Sequence, residues 1–423
     1  MTTAVLRGID ELDYVDFVRP GDMVLWGQAC AEPLSLTEAL MRQRSEVGPI
    51  RCFVGIPASR TIRPEFADHA SFVSYCGSGG NRQLHSAGAL DVVPVHYSTL
   101  PHLVSDGPLR ADVVLLQLPP ADEEGRYSLG LADDYIARAI GTARVVIAEI
   151  NDQVPQTHCS RTLASEELDV LVHTSRLPAE LPSREVDVLT QEVAANVAGL
   201  IEDGATLQFG IGALPEAVLA ALSDRRDLGV HSGLLNDAAV DLMEAGVITN
   251  ARKSLDRGHA VAGLLMGTRR LFGFAHRNPA VWLRGTGYTH APEVLAAQDH
   301  LVAINSALEV DLSGQVNAEL VGSDYVGAVG GAADFLRGAA RSRGGVPVVA
   351  LPSTAGGSSR IVAKLSGPVS TARADAGFVV TEFGVADLRG QPLRARQERM
   401  LAIAHPDHRR TLEEAVERSG VLV

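Results

Sequence analysis

The chain is 423 residues long, 46% hydrophobic and 21% charged, with a formal net charge of −14. That apolar content fills a core, which excludes a disordered chain, and the length calls for two domains or one large one. The acidic balance argues against nucleic acid or an anionic membrane surface as the main partner. Residues 1–16 carry acidic side chains and no apolar core segment, so no signal peptide is expected there. The turn Arg19-Pro20-Gly21-Asp22 leads into a short strand over 23–26, and Pro33 opens a helix through Leu34, Thr37, Ala39 and Leu40. Strands are predicted at 51–54, 71–75 and 92–96, each bounded by glycine, proline or polar residues. After the second of these, Cys76-Gly77-Ser78-Gly79-Gly80 reads either as a plain tight loop or as an anion cradle. Cys76 within it is either a small buried side chain or a thiolate.

An apolar run over 112–118, closed by Pro119-Pro120, is too continuous for a half-solvated strand and suits the centre of a parallel sheet. A helix over 133–142 and a buried strand over 144–150 complete a βαβ unit, which indicates α/β architecture. None of these runs is long enough to cross a bilayer. Cys30, Cys52, Cys76 and Cys159 are widely spaced and form no CxxC pair, so neither a metal site nor a disulfide framework is expected and the compartment is read as cytoplasmic. Lysine occurs only at Lys253 and Lys364, which leaves arginine as the main cation for any phosphate contact.

Between 160 and 190 the pattern weakens, and a boundary near 187 divides an N-terminal α/β domain, 1–187, from a C-terminal one, 188–423. A helix over 191–201, with Val193, Val197, Leu200 and Ile201 on one face, is stopped by Gly204. Strands follow at 205–209, 228–231, 302–305, 348–351 and 378–381, and Pro215 is expected to open a helix through 222. Two glycine turns lie one helix-length apart: Gly210-Ile211-Gly212-Ala213-Leu214-Pro215 and Gly229-Val230-His231-Ser232-Gly233. Glycines after a strand permit close backbone approach, and the amides of the next helix can meet an oxyanion or a phosphate. The first turn lacks both the third glycine of a dinucleotide fingerprint and the lysine of a P-loop.

The segments 118–125, 147–151, 204–212, 304–317, 379–390 and 404–407 carry a resemblance along nearly the whole chain. Among them are Ile147-Ala148-Glu149-Ile150-Asn151, Ile304-Asn305-Ser306-Ala307-Leu308-Glu309-Val310-Asp311 and Ala404-His405-Pro406-Asp407. The chain resembles the acetyl-CoA hydrolase/transferase family, the class I CoA-transferases that include 4-hydroxybutyrate and succinyl-CoA:acetate transferases. The resemblance implies two related open α/β domains of the CoA-transferase (NagB/RpiA-like) type with the active site between them. It also implies an acyl-CoA thioester as substrate, no permanently bound cofactor, no nucleic-acid or membrane partner, and a homodimer or homotetramer. In this family a glutamate attacks the acyl-CoA and carries CoA as a glutamyl thioester, while backbone amides of a glycine turn hold the oxyanion.

The family glutamate follows a Gly-x-His-Ser/Thr segment, which puts Gly233 in its place here. The next carboxylates along the chain are Asp237, Asp241 and Glu244. The loop Gly327-Ala328-Val329-Gly330-Gly331-Ala332 carries Ala332 where relatives have glutamine, and Gly357 stands near a position where relatives have lysine. His231 is read either as a proton acceptor beside Gly233 or as a structural hydrogen-bonding residue, since relatives that use the glutamate share it. His85, His96 and His405 are read as packing or turn residues, and Glu149 and Asp311 as fold-stabilising. The expected site therefore comprises Gly233 and His231, with Gly210, Ile211, Gly212, Ala213, Leu214, Asn305, Gly327, Gly330, Gly331, Ala332 and Gly357 around the thioester. The expected activity is direct acyl transfer from CoA to a small amine, alcohol or water. A non-catalytic acyl-CoA binder or regulatory partner is the alternative, and a CoA-transferase with a relocated carboxylate the third.

Overall fold

Apolar runs buried on both faces build two parallel sheets, which a computed structural model describes over residues 4–6, 8–183 and 185–419. Residues 1–3 and 7, part of the stretch read for a signal peptide, lie outside the described residues. The first sheet comprises β1 (Ala4–Leu6), β2 (Met23–Trp26), β3 (Ile50–Phe53), β4 (Ala70–Ser74), β5 (Leu90–Val92), β6 (Val113–Leu118), β7 (Val145–Asn151) and β8 (Val170–Thr174). Its order is β1-β8-β7-β6-β2-β3-β4-β5, and every pairing is parallel. The period of two shows in the packing. Met23 and Leu25 enter one hydrophobic cluster, while Val24 and Trp26 enter the cluster on the other face.

The second sheet contains β9 (Thr206–Phe209), β10 (Gly229–Val230), β11 (Leu301–Ser306), β12 (Val346–Ala350), β13 (Phe378–Thr381) and β14 (Gly384–Asp387). Its order is β10-β9-β11-β12-β13-β14, parallel except for the final β13/β14 hairpin. Val302 and Ile304 face one cluster and Leu301 and Ala303 the other, so this sheet is also covered on both sides. The first of these clusters also takes in Ala29, Cys30, Ala31, Leu131 and Ala132 from the first sheet's loops, so the core is continuous between the two sheets. Among the described residues, no helix is long and apolar enough to cross a membrane.

Several elements differ from expectation, each for a local reason. The strand expected at 92–96 leaves the sheet after Val92, because Pro94 has no N–H for the ladder; His96 instead bridges to Gly330 across the molecule. Val170–Thr174, in the stretch where the sequence pattern fades, is a strand between β1 and β7. The helix expected over 133–142 is confined to Ile136–Ile140, since Asp133 N–H bonds Gly263 O and the Asp134 carboxylate accepts from Ile136 N–H. The helix expected from 191 starts at Val188, capped by the Asp187 carboxylate on Thr190 N–H. The helix expected to open at Pro215 starts at Ala213, with Gly212 at φ 106° as its cap.

The sheets are joined by backbone hydrogen bonds between loops: Gly77 N–H to Gly327 O at 2.8 Å and Leu265 N–H to Leu131 O at 2.8 Å. Gly327 has no room for a side chain, since a Cβ there would lie 1.9 Å from Ala318 O. Gly327→Ala is therefore expected to destabilise the protein by about 1–3 kcal/mol. Gly233→Ala, whose Cβ would make ordinary contacts, is expected to stay within about 0.5 kcal/mol of the parent. Urea unfolding of the pair checks both.

Candidate active site

From β9 the chain passes to β10 on one side and later to β11 on the other, so the strand order reverses between β9 and β11. Open α/β sheets form their ligand crevice beyond the carboxyl ends of the strands at such a point. Gln208 and Asn305 stand there, paired by Asn305 Nδ2–H to Gln208 Oε1 at 3.1 Å. The turn Gly210-Ile211-Gly212 follows β9, and the helix Ala213–Ala220 opens on Gly212 with no side chain capping it. No side chain caps its first amides, on Ala213 and Leu214, and Ile211 is 42% exposed between the two glycines.

The end of β10 is locked to its surroundings. His231 N–H bonds Leu207 O at 3.0 Å, Ser232 N–H bonds Val261 O at 3.0 Å, and Gly233 O accepts from Gly263 N–H at 3.0 Å. The His231 ring is fully buried: Nε2–H donates to Thr289 O at 3.2 Å, and Nδ1 accepts from Gln298 Nε2–H at 3.4 Å. Burial, with the charge of Lys253 nearby, pushes its pKa down to about 3. The reading of His231 as a proton acceptor is therefore corrected. Both ring nitrogens already have protein partners, and the imidazole acts as a buried brace between β10 and the segment 286–289.

The loop 327–332 is positioned by the first domain. Tyr97 N–H donates to Gly330 O at 2.9 Å, while Asp334 accepts from Ser98 N–H at 3.1 Å and Ser98 Oγ–H at 2.8 Å. Gly331 then caps the helix Ala332–Arg341 with no side-chain partner for its first amides. Facing Gly331 is His290, 3% exposed and held between the rings of Tyr97 and Phe335, with centroids at 4.8 and 4.5 Å. A Cβ on Gly331 would stand 2.7 Å from His290 Nε2, so only glycine fits. A Cβ on Gly233 would stand 3.6 Å from the same nitrogen and 3.4 Å from Cε1. Gly233 and Gly331 thus both lie against the His290 ring, and sequence reasoning missed the histidine. His290 is 57 positions from Gly233, in Thr289-His290-Ala291-Pro292, and no motif ties the two.

The other site candidates are distributed as follows. Gly357 is at the exposed tip of the hairpin formed by Thr354–Ala355 and Ser358–Ser359, with nothing near its Cβ position. Asp237 is occupied by Thr268 N–H, Thr268 Oγ–H and Leu271 N–H, while Asp241 and Glu244 hold Arg270 at the surface. A buried carboxylate of the first domain also lies in this region. Asp134 accepts from Gln28 Nε2–H at 2.6 Å and from Tyr97 O–H at 3.3 Å, and Tyr75 O–H donates to Gln28 Oε1 at 2.8 Å. Desolvation raises the Asp134 pKa and that of neighbouring Asp133, the latter to about 7. Cys76 is buried and its pKa raised by desolvation, as suits an inert thiol; Glu149 and Asp311 satisfy Ser35 with Thr174 and the 311–315 turn, respectively. Beside the Tyr97–Gly330 contact lies a cleft of about 410 Å³ between the domains, lined by Pro94, Val95, His96, Thr99, Val329, Val369 and Ser370.

Two open α/β sheets with a cleft between them define a two-domain α/β protein of the CoA-transferase architecture. The chain matches the acetyl-CoA hydrolase/transferase N-terminal domain over residues 9–179 and the corresponding C-terminal domain over 267–416. It belongs to the acetyl-CoA hydrolase/transferase family. It is 37% identical over 399 residues to the 4-hydroxybutyrate coenzyme A transferase of Clostridium kluyveri, covering 92% of each chain. Among solved structures, RipA from Yersinia pestis superimposes with a TM-score of 0.92 at 32% identity over 98% of both chains. The 4-hydroxybutyrate CoA-transferase of Porphyromonas gingivalis gives 0.81 at 34% identity, over 98% of this chain and 97% of that one.

The buried brace has a pH signature. His231 has a folded pKa of about 3 against an ordinary value of 6.5, so its contribution is fully present above pH 6.5 and is lost as pH falls towards 3. The stability difference between the parent and His231→Gln should therefore shrink as pH is lowered from 6.5 to 5, with a slope that rises towards about 1.4 kcal/mol per pH unit. Chemical denaturation at stepped pH measures it; a constant difference contradicts the assignment.

Proposed function

We propose that this chain transfers the acyl group of an acyl-CoA directly to a small amine or alcohol, or to water, without a glutamyl-CoA intermediate. The observation that carries this reading is Gly233. It has no side chain at the place where the family resemblance expects the attacking glutamate, while Asp237, Asp241 and Glu244 are engaged by Thr268, Leu271 and Arg270. In the direct reaction the acceptor's nitrogen or oxygen attacks the carbonyl carbon, the acyl–sulfur bond breaks, and the acceptor's proton ends on the CoA sulfur. Membership of a family of CoA hydrolases and transferases supports the acyl-CoA substrate. The open amides at Ala213, Leu214 and the start of Ala332–Arg341 support stabilisation of the oxyanion. A Cβ at Gly233 would only touch His290 and Phe335, so the glycine leaves that side of the site without a side chain.

Mass spectrometry of purified protein incubated with a panel of acyl-CoAs, with and without amines and alcohols, tests the reading. Release of CoA with formation of an amide or ester is expected, and acceptor-independent release identifies water as the acceptor. Binding of CoA without turnover favours the non-catalytic binder, and a CoA thioester trapped on any native carboxylate sinks the proposal. Gly233→Glu is expected to acquire that adduct with acetyl-CoA, seen as a mass increase on the new carboxylate, and to lose at least about tenfold of the direct transfer as the acceptor space fills.

A further inference from the structure

Thr289 links the family histidine to the gap beside Gly233. His231 Nε2–H holds the Thr289 carbonyl at 3.2 Å, and Thr289 Oγ lies 2.9 Å from His290 Nδ1. Thr289 is fully buried, and among the described residues its hydroxyl has no other partner. The arrangement that leaves no buried O–H unused has Thr289 donating to Nδ1, which puts the ring hydrogen on Nε2. That Nε2–H has no hydrogen-bond partner among the described residues. The ring is 3% exposed, and Nε2 is its atom nearest to a Cβ at Gly331, at 2.7 Å, and stands 3.6 Å from one at Gly233, where Cε1 is at 3.4 Å. The same edge is bordered by Gly233 and by the uncapped start of the helix Ala332–Arg341, whose positive dipole end and free amides favour negative charge.

We infer that His290 is a catalytic residue of the acyl-transfer site proposed above, donating a hydrogen bond from Nε2 to the thioester carbonyl oxygen as it becomes an oxyanion. The inference rests on that reading for the identity of the substrate. The imidazole acts as a neutral donor and transfers no proton; the amides at Gly331 and Ala332 complete the hole. Burial lowers the His290 pKa to about 3, which keeps the ring neutral throughout the physiological range. Tyr97 and Phe335 pack against the ring, with centroids at 4.8 and 4.5 Å. Thr289 and His231 are positioning residues: one sets the tautomer, the other anchors the backbone that carries it.

Nitrogen NMR of 15N-histidine-labelled protein, with His290 assigned by its loss in His290→Gln, tests this independently of turnover. The free protein is expected to show a neutral Nε2–H tautomer. The dethia ketone analogue of acetyl-CoA, in which a methylene replaces the sulfur and the carbonyl is kept, should shift that signal; CoA alone should not. In Thr289→Val the tautomer preference should be lost. In the acyl-transfer assay, His290→Ala should lower kcat by about 10²–10³-fold with KM for acyl-CoA changed far less, and His290→Gln should recover part of the loss. A His290 signal that bound ketone leaves unmoved, an Nδ1–H tautomer, or unchanged kcat in both variants overturns the assignment while leaving acyl transfer intact. A ketone-specific shift without wild-type turnover upholds the donor and overturns the acyl-transfer reading. Failure of both CoA and the ketone to bind overturns both.

Discussion

The turn at Gly330-Gly331 is held from the opposite domain, and the rest of the site depends on that restraint. Tyr97 N–H fixes the Gly330 carbonyl, and Ser98 gives two hydrogen bonds to the Asp334 carboxylate in the first turn of the following helix. Asp334 thus meets both its hydrogen-bonding needs and the positive end of the helix dipole. With the helix start held in this way, Gly331 comes so close to His290 that a Cβ there would strike the imidazole. A loop within one domain has no comparable restraint.

The price of this arrangement is burial of polar groups that water would otherwise solvate. His231 and His290 are both held neutral, with pKa values near 3, and Lys253 is lowered to about 7 by desolvation. Lys253 Nζ meets the carbonyls of Val230 and His259 at 2.8 and 2.7 Å, directly beneath the strand that carries His231. Its charge opposes protonation of His231 and so helps keep that ring a donor to Thr289 and an acceptor from Gln298. A protonated His231 would turn Nδ1 into a second donor facing the Gln298 amide donor, and the brace would be broken. The buried cation and the buried neutral rings are therefore parts of one device.

Much of the fold was legible because buried parallel strands have a plain signal. Val113–Leu118 and Val145–Asn151 are wholly buried runs, and a continuous apolar stretch bounded by breakers is what such strands need. Val170–Thr174 escaped notice because three buried residues between charged and proline-rich flanks carry too little pattern. Pro94 could have warned that 92–96 was not one strand, since it withholds a ladder donor. At the site, the glycine turns were legible as places where backbone approaches backbone or ligand, and Gly331 stands where a Cβ would strike the His290 ring. Which histidine stands there was not legible. His231 sits in the recognisable segment, yet its nitrogens turn inward to Gln298 and Thr289, whereas His290, 57 positions beyond Gly233, meets that glycine only through the tertiary packing of the second half of the chain.

On the direct-transfer reading, the absence of a carboxylate at Gly233 changes what the remaining residues must supply. A covalent route divides the exchange into two steps, each with the nucleophile tethered to the protein. A direct route concentrates the barrier in one tetrahedral species whose nucleophile arrives from solution. The protein then has two means left: holding the acceptor near the carbonyl, and stabilising the oxyanion with donors already in place. A single preorganised donor of this kind is worth about 2.7–4 kcal/mol, and only where water is excluded and the donor has no competing partner. His290 meets both conditions in that its ring is 3% exposed and Nε2 lacks a protein acceptor among the described residues. An imidazole of ordinary basicity would serve less well, since it would spend part of its time protonated and would attract an anion even without the thioester. The low basicity that burial imposes makes the donor selective for charge that develops on an adjacent atom during the reaction, rather than for any carboxylate or phosphate that diffuses in.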